Sequence, residues 1–243
     1  MLSPLLSNVA LSVLDEHIAR APGGPASTPW GRAKRRRLGL PNYRLVRYAD
    51  DWTIMVAGTR DDALALREEA AQVLSRIGLR LSEEKTLITH IDKGPDFLGW
   101  HIQRHRKRGT NQYYVYTYPS RKALRAVMAK VKTLCRQADT NQPLDVLLAR
   151  INPMLAGWTA FFRPGVSSAT FQYLSAYAWR RVAGWIRRKH PGISRREFRR
   201  RYCDGGWWPR GQELALFNAG LVTTTRYRYR GSMIPSPWPL APA

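Results

Sequence analysis

Two adjacent aspartates interrupt a stretch of strand-forming residues, and this feature constrains the fold more than any other. Asp50 and Asp51 end the tetrapeptide Tyr-Ala-Asp-Asp that begins at Tyr48. Residues 42 to 47 and 52 to 57, on either side, are rich in β-branched, aromatic and aliphatic side chains, which favour strands. Because Asp is tolerated in tight turns, the segment predicts a β-hairpin with two carboxylates at its tip.

Two carboxylates held side by side repel each other unless a cation joins them. Mg²⁺ is the natural candidate, since it binds proteins through one or two carboxylates together with substrate phosphates. Asp50 and Asp51 are therefore candidate metal ligands and candidate catalytic residues of a two-metal phosphoryl-transfer site. An ordinary acidic turn that faces water is the alternative interpretation of the tetrapeptide alone.

The net charge of +23, from 40 Lys and Arg against 17 Asp and Glu, makes a polyanion the expected partner. Nucleic acid is the default, with an affinity that falls as salt rises, and a membrane surface is the competing polyanion. No segment approaches the roughly 18 consecutive apolar residues of a transmembrane helix, and the N-terminus lacks signal-peptide features. Two cysteines are too few for a disulfide framework or a zinc site, which favours a reducing cytoplasm.

The periodicity of the chain predicts an α+β unit with an antiparallel sheet over residues 1 to 118. Its expected elements are a helix over residues 3 to 18, a basic loop over 20 to 42, a helix capped by Thr59 and Asp62, and strands over 86 to 91, 97 to 105 and 112 to 118. Beyond Pro119, apolar residues recur at helical spacing among many cations, which predicts a basic helical domain over residues 119 to 243. Its helices are expected to begin near Ser120, Asn152 and Ser168.

Several short segments follow one another in a distinctive order: Leu-Ser-Pro-Leu-Leu-Ser-Asn from residue 2, Tyr-Ala-Asp-Asp from 48, Gly-Leu-Arg-Leu-Ser-Glu-Glu-Lys-Thr from 78, Phe-Leu-Gly-Trp from 97, Asn-Pro from 152, Gly-Trp from 157, and a tail from Tyr227 to Trp238. In this order they resemble the reverse transcriptase/maturase proteins that group II introns encode. The resemblance implies a partial reverse transcriptase palm over residues 1 to 118. It also implies an α-helical maturase-specific or thumb domain over residues 119 to 243.

One departure from that family bears on activity. The family's active site has three acidic positions, and the first lies on a strand upstream of the Leu-Ser-Pro-Leu-Leu element. Here that element follows Met1 directly, so the resemblance implies that the first acidic strand is missing. Asp15 and Glu16 are no substitute, because both lie on the helix predicted from Ser3. We therefore expect a weak or incomplete Mg²⁺ site, little polymerase activity, and a separately encoded N-terminal half as a candidate partner.

The resemblance and the charge pattern also nominate residues for contact with nucleic acid. Phe-Leu-Gly-Trp resembles a hairpin that grips the primer strand, where Gly99 lets a strand approach the backbone. Lys85 can meet a phosphate or can be a solvated lysine. The stretch from residue 180 to 201 is the strongest RNA-binding candidate, because like charges at that density repel one another without a polyanion. The nominated residues are Lys85, Gly99, Trp100, Arg180, Arg181, Arg187, Arg188, Lys189, Arg195, Arg196, Arg199, Arg200 and Arg201.

Three functions fit these patterns. One is an RNA-directed DNA polymerase that works with its intron RNA and with a DNA primer or target. The second is a maturase-type protein that binds structured intron RNA and assists splicing without polymerising. The third is a decayed remnant of a mobile element. Trp158, Phe161 and Phe162 are expected in the core, while Trp207 and Trp208 either stack on bases or fill a gap in the packing.

Overall fold

The computed structural model describes residues 3 to 225, and the segment from Tyr227 to Trp238 lies outside this range. The fold is a mixture of helices and small antiparallel sheets, as the α+β prediction required. Within the described range, the chain divides into a first compact unit that ends at His90 and a second that begins at Ile91. This division by packing differs from the boundary near residue 119 that the sequence patterns predict.

The described part of the first unit contains three helices and a two-stranded sheet. Its elements are α1 (Ser3–Arg20), α2 (Pro29–Arg37), β1 (Asn42–Tyr48), β2 (Asp51–Ala57) and α3 (Arg60–Ser75). The strands pair antiparallel, and the register runs from Asn42 opposite Ala57 to Tyr48 opposite Asp51. The predicted β-hairpin is thus confirmed, and its strands extend one residue further than predicted on each side, which leaves a two-residue turn.

Helices α1 and α3 provide the core of the first unit. Leu14 and Ile18 of α1 are buried with Leu66 and Leu74 of α3, and apolar residues of one sheet face pack against them. The start of α3 is fixed by the predicted capping box, in which the Thr59 N–H donates to the Asp62 carboxylate (2.7 Å) and the Asp62 N–H donates to the Thr59 hydroxyl (3.2 Å). The sheet therefore packs against α1 and α3, and this packing fixes the position of its turn.

The second unit begins with a three-stranded antiparallel sheet and continues as helices. The strands are β3 (Asp96–Phe97), β4 (Trp100–Arg106) and β5 (Tyr113–Pro119), with β4 in the middle. The helices are α4 (Arg121–Gln137), α5 (Leu144–Phe162), α6 (Ser168–Lys189) and α7 (Arg195–Tyr202). Their core is built from large buried side chains that include Trp185, Ile151, Leu155, Leu174 and Val182.

Two predictions for the first unit are wrong. Residues 20 to 42 are not a continuous loop, because α2 lies within them. The Thr28 hydroxyl accepts the N–H of Gly31 (3.0 Å), Pro29 starts the helix, and the Lys and Arg that follow are good helix formers. Residues 86 to 90 form no strand, although their composition favours one. Strand propensity depends on a neighbouring strand and on burial, and Leu87 is 77% exposed.

Two predictions for the second unit also need correction. The strand predicted over residues 97 to 105 is broken after Phe97, because Leu98 (φ 50°) and Gly99 (φ 81°) form a hairpin turn with positive φ at both central residues. The helix predicted from Asn152 begins at Leu144 instead and has Pro153 in its interior. The apolar spacing of α5 starts earlier and continues through this proline, so burial outweighs the lost backbone hydrogen bond.

Candidate active-site turn and nucleic-acid interface

The acidic turn consists of Ala49 and Asp50, with Tyr48 and Asp51 paired across its base. Both aspartates are exposed to solvent. Ala49 has a φ of 54°, in the left-handed region that residues other than glycine rarely adopt. The geometry therefore places two neighbouring carboxylates at the exposed end of a short sheet, as the sequence predicts.

The Arg47 side chain attaches this turn to helix α1. Its guanidinium donates from Nε to both carboxylate oxygens of Asp15 (3.1 and 2.9 Å) and from Nη2 to Oδ2 (2.6 Å). Its Nη1 donates to Oδ1 of Asn8 (2.6 Å) and to the carbonyl of Ala49 (3.0 Å). The sequence patterns do not predict this role of Asp15. The available signal was an acidic residue on the predicted N-terminal helix and an arginine next to the predicted turn.

The donor set of the turn fits a single hard cation. Exposed carboxylate oxygens are the ligands through which Mg²⁺ binds proteins, usually with water and substrate phosphates beside them. Among residues 3 to 225, no cluster of three or more His, Cys, Asp or Glu side chains could hold a metal ion. The acids of α1 have other partners: Asp15 binds Arg47 and Glu16 pairs with Arg20 at 3.3 Å. Asp50 and Asp51 offer exposed carboxylate oxygens of the kind that Mg²⁺ binds.

Gly99 and Trp100, which lie at the hairpin between β3 and β4, have structural roles within the second unit. The Trp100 ring packs against the rings of Phe162 (centroids 4.8 Å apart) and Phe161 (5.9 Å). Gly165 lies so close that a Cβ there would be 2.2 Å from the Trp100 ring. Phe162 is buried, as predicted, whereas Phe161 is 54% exposed. Gly99 turns the chain just before Trp100, so this segment fixes the sheet of the second unit to its helices.

The remaining residue nominated in the first unit, Lys85, is exposed and ends a turn over residues 83 to 85. Its backbone N–H donates to the Ser82 carbonyl (3.2 Å). The side chain is therefore accessible to an anion from solvent.

Two cations of the basic stretch, Arg188 and Lys189, bind carbonyl groups at the end of α4 and in the loop that follows it. Arg188 donates from Nη2 to the carbonyl of Cys135, near the end of α4. Lys189 donates from Nζ to the carbonyls of Thr140 (2.6 Å) and Gln142 (3.0 Å) in the loop that follows. Since C-terminal carbonyls of a helix lack partners within it, these two side chains stabilise the junction of α4 and α6.

The other nominated cations lie at the surface of the second unit. Arg181 is half-buried and lies over the ring of Tyr177, with its guanidinium carbon 4.9 Å from the ring centroid. Arg201 pairs with Glu197 at 2.7 Å across one turn of α7. The exposed members are Arg180, Arg187, Arg195, Arg196, Arg199, Arg200 and Arg201. The cations that the sequence groups together thus divide into structural and surface residues.

Four of the exposed arginines line one open cleft of about 580 Å³. This arginine cleft is lined by Arg195, Arg196, Arg199, Arg200, Cys203, Gly205 and Trp207. The Ser194 hydroxyl caps α7 by accepting the Glu197 N–H (3.1 Å), so the helix that carries the arginines has a fixed start. The guanidinium carbon of Arg199 lies 5.8 Å from the centroid of the Trp207 ring.

The two neighbouring tryptophans differ in environment. Trp208 packs against the main core of the second unit, and its Nε1 donates to the Leu216 carbonyl (2.5 Å). Trp207 is 49% exposed and faces the arginine cleft. Of the two roles left open by the sequence, packing therefore applies to Trp208, and Trp207 keeps a ring available at the surface.

Comparison with known proteins assigns both parts of the chain. Residues 1–102 match the family described as reverse transcriptase (RNA-dependent DNA polymerase). Residues 124–203 match the family described as the group II intron, maturase-specific domain. A reverse transcriptase segment followed by a maturase-specific segment is the arrangement that the motif order predicted. The chain belongs to the group II intron reverse transcriptase/maturase family.

Individual relatives support this assignment. The chain is 34% identical to Protein YkfC of Escherichia coli (strain K12) over 51% of this chain and 36% of that protein. It is 43% identical to the group II intron-encoded protein LtrA of Lactococcus lactis subsp. cremoris over 28% of this chain and 11% of that protein. It is 29% identical to nuclear intron maturase 1, mitochondrial, of Arabidopsis thaliana over 40% and 17%. The chain thus spans at most 36% of these relatives.

Among the helices within residues 3 to 225, none is long and apolar enough to cross a membrane.

Proposed function

We propose that this chain binds structured intron RNA through the basic surface of its second unit and assists splicing as a maturase. The arginine cleft carries the proposal, because it places four guanidinium groups on one exposed surface. A guanidinium donates to phosphate oxygens in a bidentate geometry, and structured RNA offers phosphates along its whole surface. Arg180 and Arg187 of α6 are exposed as well and add to the positive field.

A charge-reversal experiment tests this proposal. The double variant Arg196→Glu with Arg200→Glu reverses two arginines of the cleft. We expect weaker binding to a structured intron RNA and a log–log dependence of affinity on salt that is shallower by about two counterions. The control, Arg36→Glu with Arg37→Glu, makes the same change in net charge at exposed positions of α2 in the first unit.

The two variants separate a local site from bulk charge. Equal weakening by both would show that only net charge matters. Binding that is absent in the unmodified chain, or insensitive to salt, would contradict the proposed function itself.

We also propose that the chain has little polymerase activity by itself. Reverse transcriptases generally use Mg²⁺, and the ion, when bound, stabilises the charge that develops on the transferred phosphoryl group. Asp50 and Asp51 would hold this ion. Two-metal transfer needs two ions kept in a fixed geometry, and two carboxylates alone do not provide it. A misplacement of about 1 Å can cost about a hundredfold in rate. Primer extension on an RNA template with Mg²⁺ or Mn²⁺ tests this, and robust cDNA synthesis would overturn it.

We propose further that a preceding part of a reverse transcriptase palm, in a longer chain or encoded separately, covers the outer face of α1. Leu5, Leu6 and Val9 on this face are each more than 60% exposed, and contiguous apolar surface of this kind marks interaction sites. Supplying that part should raise primer extension, and Leu6→Lys with Val9→Lys should prevent the gain. No gain on addition would contradict this proposal.

A further inference from the structure

The arginine cleft contains an exposed aromatic ring as well as its cations, and a surface that only attracts phosphates does not need one. We propose that this cleft binds one unstacked nucleotide of RNA, with the base on the Trp207 ring and the adjoining phosphates against the arginines. This inference rests on the RNA binding proposed above and adds the kind of RNA element that is recognised. Base stacking on aromatic side chains is how proteins hold nucleotides that have left a helix.

The backbone around Trp207 is held from several sides. The Trp179 indole donates from Nε1 to the Trp207 carbonyl (2.6 Å), and the next residue, Trp208, is fixed in the core. Arg199 donates from Nη2 to the Gly205 carbonyl (2.9 Å), which keeps its guanidinium over one face of the Trp207 ring and leaves the other face for a base. A stacking surface that is already ordered loses little conformational entropy when a base arrives.

The charge of the cleft is not neutralised by the acids beside it. Glu197 pairs with Arg201, and Asp204 pairs with Arg210, so both local carboxylates are bound by arginines outside the cleft lining. Within residues 3 to 225, no ion pair involves the four arginines that line the cleft. In that part of the chain, no carboxylate competes for these cations. Arg199 uses Nη2 to bind the Gly205 carbonyl, and the remaining N–H donors of the four side chains can bind phosphates on either side of a bound base.

The combination favours an unstacked nucleotide over a continuous duplex. A duplex presents phosphates and 2′-hydroxyls but keeps its base faces stacked, so it can use the arginines and leave the indole of Trp207 in water. A bulged nucleotide offers a free face to the ring.

A paired binding experiment tests the proposal. The purified chain is titrated with a fully paired RNA hairpin and with the same hairpin carrying a one-nucleotide bulge. We expect the unmodified chain to prefer the bulged RNA by about tenfold. Trp207→Leu should abolish this preference and leave the affinity for the paired RNA unchanged, while Trp207→Phe should retain part of the preference because it keeps an aromatic face.

Tyr173→Leu is the matched control. Tyr173 is 51% exposed, on α6 of the same unit, and does not line the cleft, so its replacement should leave the preference intact. Thermal unfolding of each variant checks that the fold persists, which a half-exposed position such as Trp207 allows. If Trp207→Leu is unstable, the comparison of Trp207→Phe with the unmodified chain takes its place.

The outcomes distinguish the two proposals. Equal affinity of the unmodified chain for both RNAs, or a preference that survives in Trp207→Leu, overturns the nucleotide site and leaves general RNA binding standing. Failure to bind either RNA overturns both. A loss of preference in Tyr173→Leu as large as in Trp207→Leu also overturns the site, since it would show that any exposed aromatic ring has the same effect.

Discussion

Arg47 and Asp15 join strand β1 to helix α1 through three N–H···O contacts, the shortest of which is 2.6 Å between Nη2 and Oδ2. Both side chains are largely sheltered, with 17% of Arg47 and 28% of Asp15 exposed. The same guanidinium binds the carbonyl of Ala49. The position of the acidic turn therefore depends on an ion pair that lies outside the Tyr-Ala-Asp-Asp tetrapeptide.

The first prediction concerns this ion pair. Arg47→Gln should lower the free energy of unfolding by about 2 kcal/mol, because it leaves a sheltered Asp15 carboxylate without its bidentate partner. Arg44→Gln is the control, since Arg44 lies on the same strand and is exposed. Urea denaturation measures both. Equal stability of the two variants would show that the pair contributes no more than a surface charge.

The second prediction concerns two glycines of the second unit. Gly165→Ala should destabilise the protein by about 1–3 kcal/mol, because a Cβ at this position would lie 2.2 Å from the Trp100 ring. Gly157→Ala should be neutral or stabilising by up to about 1 kcal/mol, since Gly157 lies within α5 and has open space at its Cβ position. Thermal unfolding distinguishes them, and a Gly165→Ala protein as stable as the original would contradict the packing described for Trp100.

The third prediction concerns pH. Desolvation acts to raise the pKa of the Asp145 carboxyl, but N–H donors of Leu214, Gln212 and Glu213 outweigh it, so the pKa lies below its ordinary value of 3.8. A lowered pKa in the folded state contributes stability above the unfolded pKa, and this contribution is lost as pH falls through the folded pKa. Asp145→Asn should therefore lower the Tm at neutral pH, because the amide lacks the negative charge and offers one acceptor oxygen in place of two.

The difference in Tm between the original protein and Asp145→Asn should shrink as the pH is lowered through the range below 3.8. Glu213→Gln is the control. It also removes one negative charge, at an exposed position of the segment whose N–H groups bind Asp145, and it leaves the Asp145 carboxylate in place. Glu213→Gln should leave the Tm close to that of the original protein both at neutral pH and in the range below 3.8. A pH-independent difference for Asp145→Asn would show that the carboxylate charge has no part in holding this turn.

The fourth prediction concerns the two thiols. Burial raises the pKa of Cys135 to about 11, against the opposing charges of Arg188 and Arg181. Burial also raises the pKa of Cys203, which is only half-buried. Since the thiolate is the reactive form, a thiol reagent at mildly alkaline pH should modify Cys203 slowly and Cys135 only after unfolding. Mass spectrometry of the labelled protein tests this order, and early labelling of Cys135 would contradict its burial.

The parts of the fold that the sequence predicts well depend on local signals. The hairpin with Asp50 at its tip follows from strand propensity and turn chemistry over a few residues. The start of α3 after Thr59 follows from a predicted capping box, which the hydrogen bond from the Asp62 N–H confirms. The start of α4 near Ser120 follows from apolar spacing, and the Ser120 hydroxyl caps it by accepting the Ala123 N–H. Each of these signals acts within about four residues, which is the range that a sequence pattern shows directly.

The parts that the sequence does not predict depend on long-range contacts. Arg47 and Asp15 are 32 residues apart, and Lys189 is 49 residues from the Thr140 carbonyl that it binds. Nothing in the local pattern shows which cation of the basic stretch faces inward. The separate environments of Trp207 and Trp208 likewise arise from the packing of the second unit rather than from their shared sequence neighbourhood.

The backbone of Ala49 shows what maintains the acidic turn. Alanine rarely adopts a φ of 54°, a value that glycine, asparagine and aspartate adopt more readily. The residue at position 49 therefore does not itself favour this conformation. The hydrogen bond from Arg47 to the Ala49 carbonyl, backed by α1, supplies the restraint from outside. Grafting Tyr-Ala-Asp-Asp onto an unrelated hairpin would thus transfer the two carboxylates without their arrangement, since contacts from helix α1 hold the backbone of the turn in its conformation.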